Sequence, residues 1–279
     1  MLDIDPLRDG VTPAPAATVV VVRDGATRPE VLLVQRHRAT AFMGGAFVFP
    51  GGRLEASDGA AALLSRVAAL DVDSAEHRLN EHGLGDIACA LFVAAIRETL
   101  EEAGVLLSAT PRTDAADVRA SLAGSSFGAV VQARDILFDA TRLVPLSRWI
   151  TPAVEKKRFD ARFFLAKVDR GEVASHDAHE TVASRWSPPE EAVASHLAGE
   201  IDLPPPTLRT LELLARYESA DAMLDAARAS QPPLVRPVFR DLSGQWILAL
   251  PGDEEHPEKH AVIEGTTRFV CRDARWYSR

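Results

Sequence analysis

The sequence predicts an α+β fold in the form of an α/β/α sandwich: a mixed β-sheet with helices on both sides, a helical insert, and a C-terminal extension of helices and short strands. Three observations carry this. Two β-rich runs, Thr18–Arg23 and Val31–Arg36, flank an Asp24-Gly25 turn signal and read as neighbouring strands. A long helical pattern ends at Ala103 with one apolar stripe formed by Cys89, Phe92, Val93, Ile96, Leu100 and Ala103. Further strand-like and helix-like runs then alternate to the end of the chain.

Taken in order, residues 1–15 are rich in proline and form an arm. Ala46–Phe49 is a short strand entering the turn Phe49-Pro50-Gly51-Gly52. Residues 59–80 are rich in Ala and Leu and predict one or two helices, within an insert spanning 59–85. Gly83-Leu84-Gly85 breaks the pattern, and Asp86 is the expected N-cap of the long helix. Gly104 stands where a C-cap glycine belongs. A smaller helical pair is expected over 114–122 and 127–135. Leu143–Ile150, Phe159–Val168 and Glu180–Trp186 read as strands. Pro188-Pro189 opens a helix through His196, and Pro204–Pro206 opens another over Thr207–Tyr217, followed by Ala220–Ala229. From Val235 the tail alternates short strands with turns. The expected division is an arm at 1–15, a catalytic-type domain at 16–200 and an extension at 201–279.

Composition excludes several classes. With 40 acidic against 31 basic side chains, the net charge of −9 argues against a surface for nucleic acid or anionic membrane. The longest strongly apolar run, Ile87 to Ile96, is too short to span a bilayer. The N-terminal stretch lacks a signal-peptide core and the last three residues are not a Ser-Lys-Leu address, so a cytoplasmic location is expected. The two cysteines, Cys89 and Cys271, have no zinc-ligand spacing and are expected as buried free thiols.

The chemistry concentrates in Arg97-Glu98-Thr99-Leu100-Glu101-Glu102-Ala103-Gly104-Val105. On a helix Glu98, Glu101 and Glu102 fall at i, i+3 and i+4 and share one face. Like charges at that spacing repel by a few tenths of a kcal/mol per pair, roughly, so a counter-charge is expected. Carboxylate oxygens suit a hard divalent cation, Mg²⁺ or Mn²⁺, which points toward phosphate chemistry. A solvated acidic helix face would show the same letters. The apolar opposite face, the Gly104 stop and the upstream Gly-Gly turn, whose backbone admits close approach, favour the metal.

With Gly52 upstream, these residues resemble the signature of the Nudix hydrolases: a Gly, five residues, a Glu, seven residues, then Arg-Glu-(apolar)-x-Glu-Glu-x-Gly-(apolar). Three departures stand out. Asp58 occupies the place of the first Glu, Thr99 replaces an apolar residue, and residues 59–96 stand where the family has a seven-residue spacer. The split box is similar to the branch of peroxisomal coenzyme A diphosphatases, as are Leu32–Arg36, Phe42–Ala46, Arg158–Phe164 and Leu250–Asp253. The resemblance implies a metal-dependent pyrophosphohydrolase cleaving a nucleoside diphosphate linked to another group, with coenzyme A or acyl-coenzyme A first. ADP-ribose, NADH and dinucleoside polyphosphates stay open, as does a nucleotide-binding module without catalysis.

On that basis Glu98, Glu101 and Glu102 are the expected metal ligands, with the Gly52 carbonyl added by the family pattern. Arg97 is expected to pair with a neighbouring carboxylate such as Glu101 and orient it. The general base is a box glutamate or, as the outside candidate, Glu180, for which a solvated loop acid is the simpler account. Gly51 and Gly52 are expected to approach substrate. Arg36, closing a strand upstream of the turn, either touches phosphate or pairs with an acid at the sheet edge. Lys156, Lys157 and Arg158 form the compact basic run, with Lys157 and Arg158 as candidates for a further phosphate against the plainer reading of a solvated turn. The partner is a small molecule, neither nucleic acid nor membrane, and Leu208, Leu211 and Leu214 suggest the seam of a homodimer. His176, His179, His256 and His260 are expected at the surface.

Overall fold

The computed structural model describes residues 11–39, 43–111, 113–176 and 181–279. The chain begins with two long antiparallel strands, β1 (Ala14–Asp24) and β2 (Pro29–Arg36), paired Val22 to Val31 across the Asp24-Gly25 turn. Two short strands follow, β3 (Phe47–Val48) on β2 and β4 (Gly51–Arg53) on β1. The insert contains α1 (Ala61–Leu64), β5 (Val67–Ala68) and α2 (Val72–Leu79), the last closed by a reciprocal Asp71–Ser74 capping box. The long helix α3 (Asp86–Ala103) is followed by α4 (Ala115–Ser121) and α5 (Phe127–Ala133). β6 (Phe138–Asp139) pairs with β5, and the main sheet resumes with β7 (Val144–Ile150), β8 (Phe159–Lys167) and β9 (Thr181–Ser187). Then come α6 (Pro189–Leu197), α7 (Pro205–Leu214) and α8 (Ala220–Arg228). The tail forms β10 (Leu234–Val235), β11 (Val238–Leu242), β12 (Gln245–Ala249), β13 (Arg268–Arg272) and β14 (Arg275–Ser278).

The main sheet runs β10-β7-β8-β1-β2-β3, with β4 on β1 and β9 on β2; β1 and β8 are parallel, so the sheet is mixed. Its central strands are buried on both faces, and the period-2 alternation assigns each residue to one of two cores. Val19 and Val21 of β1, Leu32 and Val34 of β2, and Phe164 of β8 face the core built with α2–α5. Val20, Val22, Val31, Leu33, Phe163 and Leu165 face a second core with α6–α8 and the tail. The tail folds as a four-stranded antiparallel sheet, β11-β12-β13-β14, while β10 extends the edge of the main sheet by pairing parallel to β7.

The insert is tied to the sheet by charge. Glu81, just past α2, accepts from Arg162 Nε and Nη2 at 2.9 and 2.7 Å and pairs with Arg148 at 2.5 Å. Arg148 in turn grips Asp160 through two bonds of 2.7 Å.

Four expectations are corrected. Gly85, at φ 57°, occupies the N-cap of α3, and Asp86 is the first helical residue, where its negative charge meets the positive helix end. Leu208, Leu211 and Leu214 of α7 are 1%, 0% and 3% exposed in the chain's own second core, so they are not available as a dimer seam. His256 is buried, with Nε2 2.9 Å from the Arg236 carbonyl. Cys89 is a buried free thiol as expected, whereas Cys271 is only partly buried. Among the described residues no helix is long and apolar enough to cross a membrane.

Candidate active site

Helix α3 lies against β1 and β4. Its stripe of Phe92, Val93, Ile96, Leu100 and Ala103 is buried, and so are Ala90, Leu91, Ala94 and Ala95 around the sides, so the helix is enclosed along most of its length. Only its last turns reach a cavity. Gly104, at φ 65°, terminates the helix in the left-handed region that β-carbons disfavour.

The Gly51-Gly52 strand is positioned by pairing with Thr18 and Ala17 of β1. Space requires a glycine at 51, and at 52 a side chain would displace a glutamate. A β-carbon on Gly51 would overlap the Ala17 carbonyl and the Thr18 backbone, and one on Gly52 would overlap the carboxylate of Glu98. The absence of side chains therefore brings the turn onto the helix. Gly51 N–H donates to Glu102 Oε2 at 2.9 Å, which fixes the innermost of the three glutamates. Glu102 is 4% exposed, whereas Glu98 and Glu101 are half-buried.

Arg97 organises the rest. Its Nε and Nη2 donate to the two oxygens of Asp58 at 2.8 and 3.0 Å, and Nη2 also donates to the Arg53 carbonyl at 3.0 Å. Nη1 donates to Glu98 Oε1 at 2.8 Å and to Glu101 Oε2 at 2.9 Å. The expected Arg97–Glu101 pair is thus present, within a larger arrangement that also joins the helix to Asp58. Burial opposes the guanidinium charge, but the bond to Asp58 and the charges of Glu98, Asp58 and Glu101 more than offset it, so Arg97 stays protonated well beyond its ordinary range. Asp58, completely buried, also accepts from the Glu55 N–H at 2.8 Å.

Burial raises the pKa of Glu101, Arg97 opposes that shift, and the neighbouring charges of Glu55 and Asp58 add to it. Glu98, Glu101 and Glu102 line one side of a cavity of about 550 Å³. Five glutamates, including Glu55 and Glu155, and three arginines, Arg36, Arg53 and Arg97, contribute to its wall. The balance is two negative charges in excess, so a diphosphate entering alone is repelled and a divalent cation is attracted. Among the described residues no group of three His, Cys, Asp and Glu side chains is arranged to hold a metal ion as the side chains stand.

Arg36 lines the same cavity, and its buried Nε has no hydrogen-bond partner among the described residues. Lys157 is exposed and does not line the cavity. Arg158 is also outside the wall, its guanidinium donating to the Thr151 and Val11 carbonyls at 3.0 and 2.8 Å. Arg158 therefore braces the β7–β8 connection, and Thr151, Glu155 and Phe159 reach the cavity instead. Glu180 lies outside the described residues. Its neighbour Thr181 is buried and donates to the Glu102 carbonyl at 3.1 Å.

Phe49, Trp149 and Phe163 also line the cavity, as do Pro204–Pro206, Pro237 and Leu248 of the C-terminal region. From the sequence, Trp149 stands out only as one of four tryptophans, with Trp186, Trp246 and Trp276, that could stack on an adenine, against the plainer reading of a core residue, and the Pro-Pro-Pro run reads as a helix start, which it also is.

An Arg-Glu-x-x-Glu-Glu helix ending in glycine, laid on a Gly-Gly strand of a mixed sheet, is the arrangement of a Nudix hydrolase, an enzyme acting on diphosphate bonds. The chain belongs to the NUDT19 Nudix domain family, whose model matches residues 72–214. It is 29% identical over 317 residues to the human (Homo sapiens) acyl-coenzyme A diphosphatase NUDT19, covering 92% of this chain and 84% of that protein. It is 26% identical over 285 residues to the Xenopus laevis protein of the same name, covering 87% and 75%. Among solved structures it is similar to a NUDIX hydrolase from Alicyclobacillus acidocaldarius, with a TM-score of 0.63, 30% identity and coverage of 80% of this chain and 98% of the other. Hydrolases of this superfamily generally use divalent metal ions.

Proposed function

We propose that the protein hydrolyses the diphosphate of coenzyme A or an acyl-coenzyme A, with Mg²⁺ or Mn²⁺ held by Glu98, Glu101 and Glu102 and by the Gly52 carbonyl. The observation that carries this is the shared cavity: the three glutamates, the Gly-Gly strand and apolar residues such as Phe49, Trp149, Phe163 and Leu248 line one cavity of about 550 Å³. The names of the relatives point to the same substrate.

When bound, the cation offsets the charge of the diphosphate and lowers the pKa of a coordinated water. The chain's own residues do the remaining work. Arg97 holds Glu98 and Glu101 in place through one oxygen each, and Asp58 locks Arg97. The Gly51 N–H aims Glu102. Arg36 presents N–H donors to a phosphate oxygen, a charge-assisted contact. In the reaction a water oxygen bonds to one phosphorus, the bond from that phosphorus to the bridging oxygen breaks, and the bridging oxygen leaves on the other phosphate with the electron pair. The water proton passes to a carboxylate, a box glutamate in this reading, with Glu180 as the outside candidate. Attack at either phosphorus of coenzyme A gives the same pair, adenosine 3′,5′-bisphosphate and 4′-phosphopantetheine.

The test is the purified protein with Mg²⁺ or Mn²⁺ against coenzyme A, acyl-coenzyme A, ADP-ribose, NADH and a dinucleoside polyphosphate, with products identified by mass. Release of the bisphosphate from coenzyme A species in preference to cleavage of the others is expected. A clear preference for ADP-ribose, NADH or the dinucleoside polyphosphate overturns the substrate, and no metal-dependent hydrolysis of any of them overturns the reaction.

A further inference from the structure

A second cavity, of about 430 Å³, is lined by residues of α2, the start of β7 and the end of α8, and shares no lining residue with the first. Two arginines, Arg78 and Arg228, and His77 line it, and among the described residues no carboxylate does. In a chain with a net charge of −9 that is the reverse of the average surface. Val144, Pro145 and Ala227 are buried, whereas His77, Arg228 and Gln231 are exposed. The first three therefore sit deep in the cavity and the last three at its mouth.

Arg78 is the informative residue. Its Nη2 donates to the Ala140 carbonyl at 2.6 Å and to the Leu143 carbonyl, and its guanidinium carbon lies 4.6 Å from the centroid of the Phe92 ring. These contacts hold the side chain in place. Its Nη1 is buried and has no hydrogen-bond partner among the described residues. A buried donor without an acceptor is costly, and more so on a charged group. Burial also pulls the Arg78 pKa below its ordinary value, and the charge of Asp139 offsets that only in part. Asp139 is itself engaged: its Oδ1 accepts from the Thr141 N–H and hydroxyl at 2.9 and 2.7 Å. Arg78 and Arg228 stand in the last turns of α2 and α8, where the helix dipole favours positive charge. The dipole accounts for cations at those positions; it does not supply the acceptor that Nη1 lacks.

We infer that this second cavity binds the phosphate group of a small phosphate monoester, with Arg78 and Arg228 as its cationic contacts. A guanidinium fork matches phosphate oxygens, and two of them balance a dianion, whereas a single carboxylate would leave one positive charge over. Val144, Pro145 and Ala227 offer apolar surface to the carbon body beside the phosphate. Arg228 is available: its pair with Asp225, at 3.2 Å, joins side chains 55% and 75% exposed and is weak. The lining comes from the insert, from β7 and from the segment after residue 200. A bound ligand thus joins three parts of the chain and stabilises the folded state by mass action. The inference does not depend on the reaction proposed for the glutamate-lined cavity.

The test uses the full chain in EDTA, titrated calorimetrically with inorganic phosphate and, separately, with acetate at constant ionic strength. Saturable binding of about one phosphate per chain is expected, with acetate about tenfold weaker or more. Arg228→Glu and Gln231→Glu change exposed side chains at the mouth, so both variants should fold. Arg228→Glu is expected to weaken phosphate about tenfold or more, and Gln231→Glu severalfold, by loss of a charge-assisted contact and by repulsion. Arg36→Ala, in the other cavity, should leave phosphate binding unchanged. Phosphate should also raise the Tm of the wild type and not that of Arg228→Glu. Arg78→Lys keeps the charge but not the fork and should weaken binding as well; if it does not fold, the two exposed variants decide. No saturable binding up to about 50 mM phosphate overturns the site. Binding that is unchanged in both exposed variants overturns it too, and its loss in Arg36→Ala instead assigns the phosphate to the glutamate-lined cavity. Acetate bound as tightly as phosphate overturns the choice of phosphate.

Discussion

Arg97 and Asp58 form a two-pronged ion pair 39 residues apart in sequence, closed by bonds of 2.8 and 3.0 Å with neither residue more than 4% exposed. Removing Asp58 deprives two buried N–H groups of Arg97 of their carboxylate and leaves only Glu98 and Glu101 as its counter-charges. Asp58→Ala is expected to cost about 3–5 kcal/mol. Asp58→Glu adds a methylene at a fully buried position and is expected to cost about 1–3 kcal/mol by overpacking, although glutamate restores the usual residue of the Nudix box. Urea unfolding of the three proteins measures both, and a Glu variant as stable as the native protein contradicts the packing argument.

Glu101 couples stability to pH in a defined direction. Its carboxyl holds a proton to higher pH in the folded chain than in the unfolded one, chiefly because of burial. The folded state therefore binds more protons in the window between the two values, and stability falls as pH rises through it. Glu101→Gln cannot titrate, so its stability relative to wild type should rise as pH climbs from about 4.5 toward neutrality. If Glu101 holds the metal as proposed, the variant's hydrolysis should fall by about a hundredfold or more, since a ligand matters at least as much as its supporting shell. Thermal melts at several pH values and steady-state assays check the two halves separately.

Gly52→Ala places a methyl group where the Glu98 carboxylate now sits. The flexible glutamate can yield, so the fold should survive while the carboxylate shifts. A displacement of that order is expected to lower kcat by about a hundredfold. Retained circular dichroism with lost turnover is the predicted outcome; unchanged turnover would mean Glu98 is not needed where it stands.

Arg36 reaches the cavity with a buried nitrogen that nothing among the described residues satisfies. Arg36→Ala should raise KM by roughly ten- to a hundredfold, the worth of one charge-assisted hydrogen bond, with kcat changed much less. Arg36→Lys keeps the charge and should recover part of the loss. A kcat effect larger than the KM effect would place Arg36 in the transition state instead.

What could be read from the letters was local or periodic. The glutamate face, its Gly104 stop and the Arg97–Glu101 pair follow from helical spacing within nine residues, and β1, β2 and α3–α8 follow from alternation and turn chemistry. What escaped depends on distant contacts. Asp58 reads as a weakened match, yet its burial under Arg97 is settled only when the insert folds back on α3. The stripe of Leu208, Leu211 and Leu214 announces an apolar face without saying what covers it. Lys157 and Arg158 look like phosphate binders because charge is visible in a sequence, whereas the backbone carbonyls that engage Arg158 are not. The cavity-lining prolines are silent because apolar cavity lining and apolar core use the same residues.

The two-residue strand β10 has a significance beyond its length. It lies against β7, and the helices that precede it shield one entire side of the main sheet. Cutting the chain near residue 200 would strip that cover, bare a rim of unsatisfied main-chain groups and present Val20, Leu33 and Leu165 to water. The catalytic-type half would then be prone to self-associate instead of surviving as a free-standing unit, so the two halves must be made, and studied, as one piece.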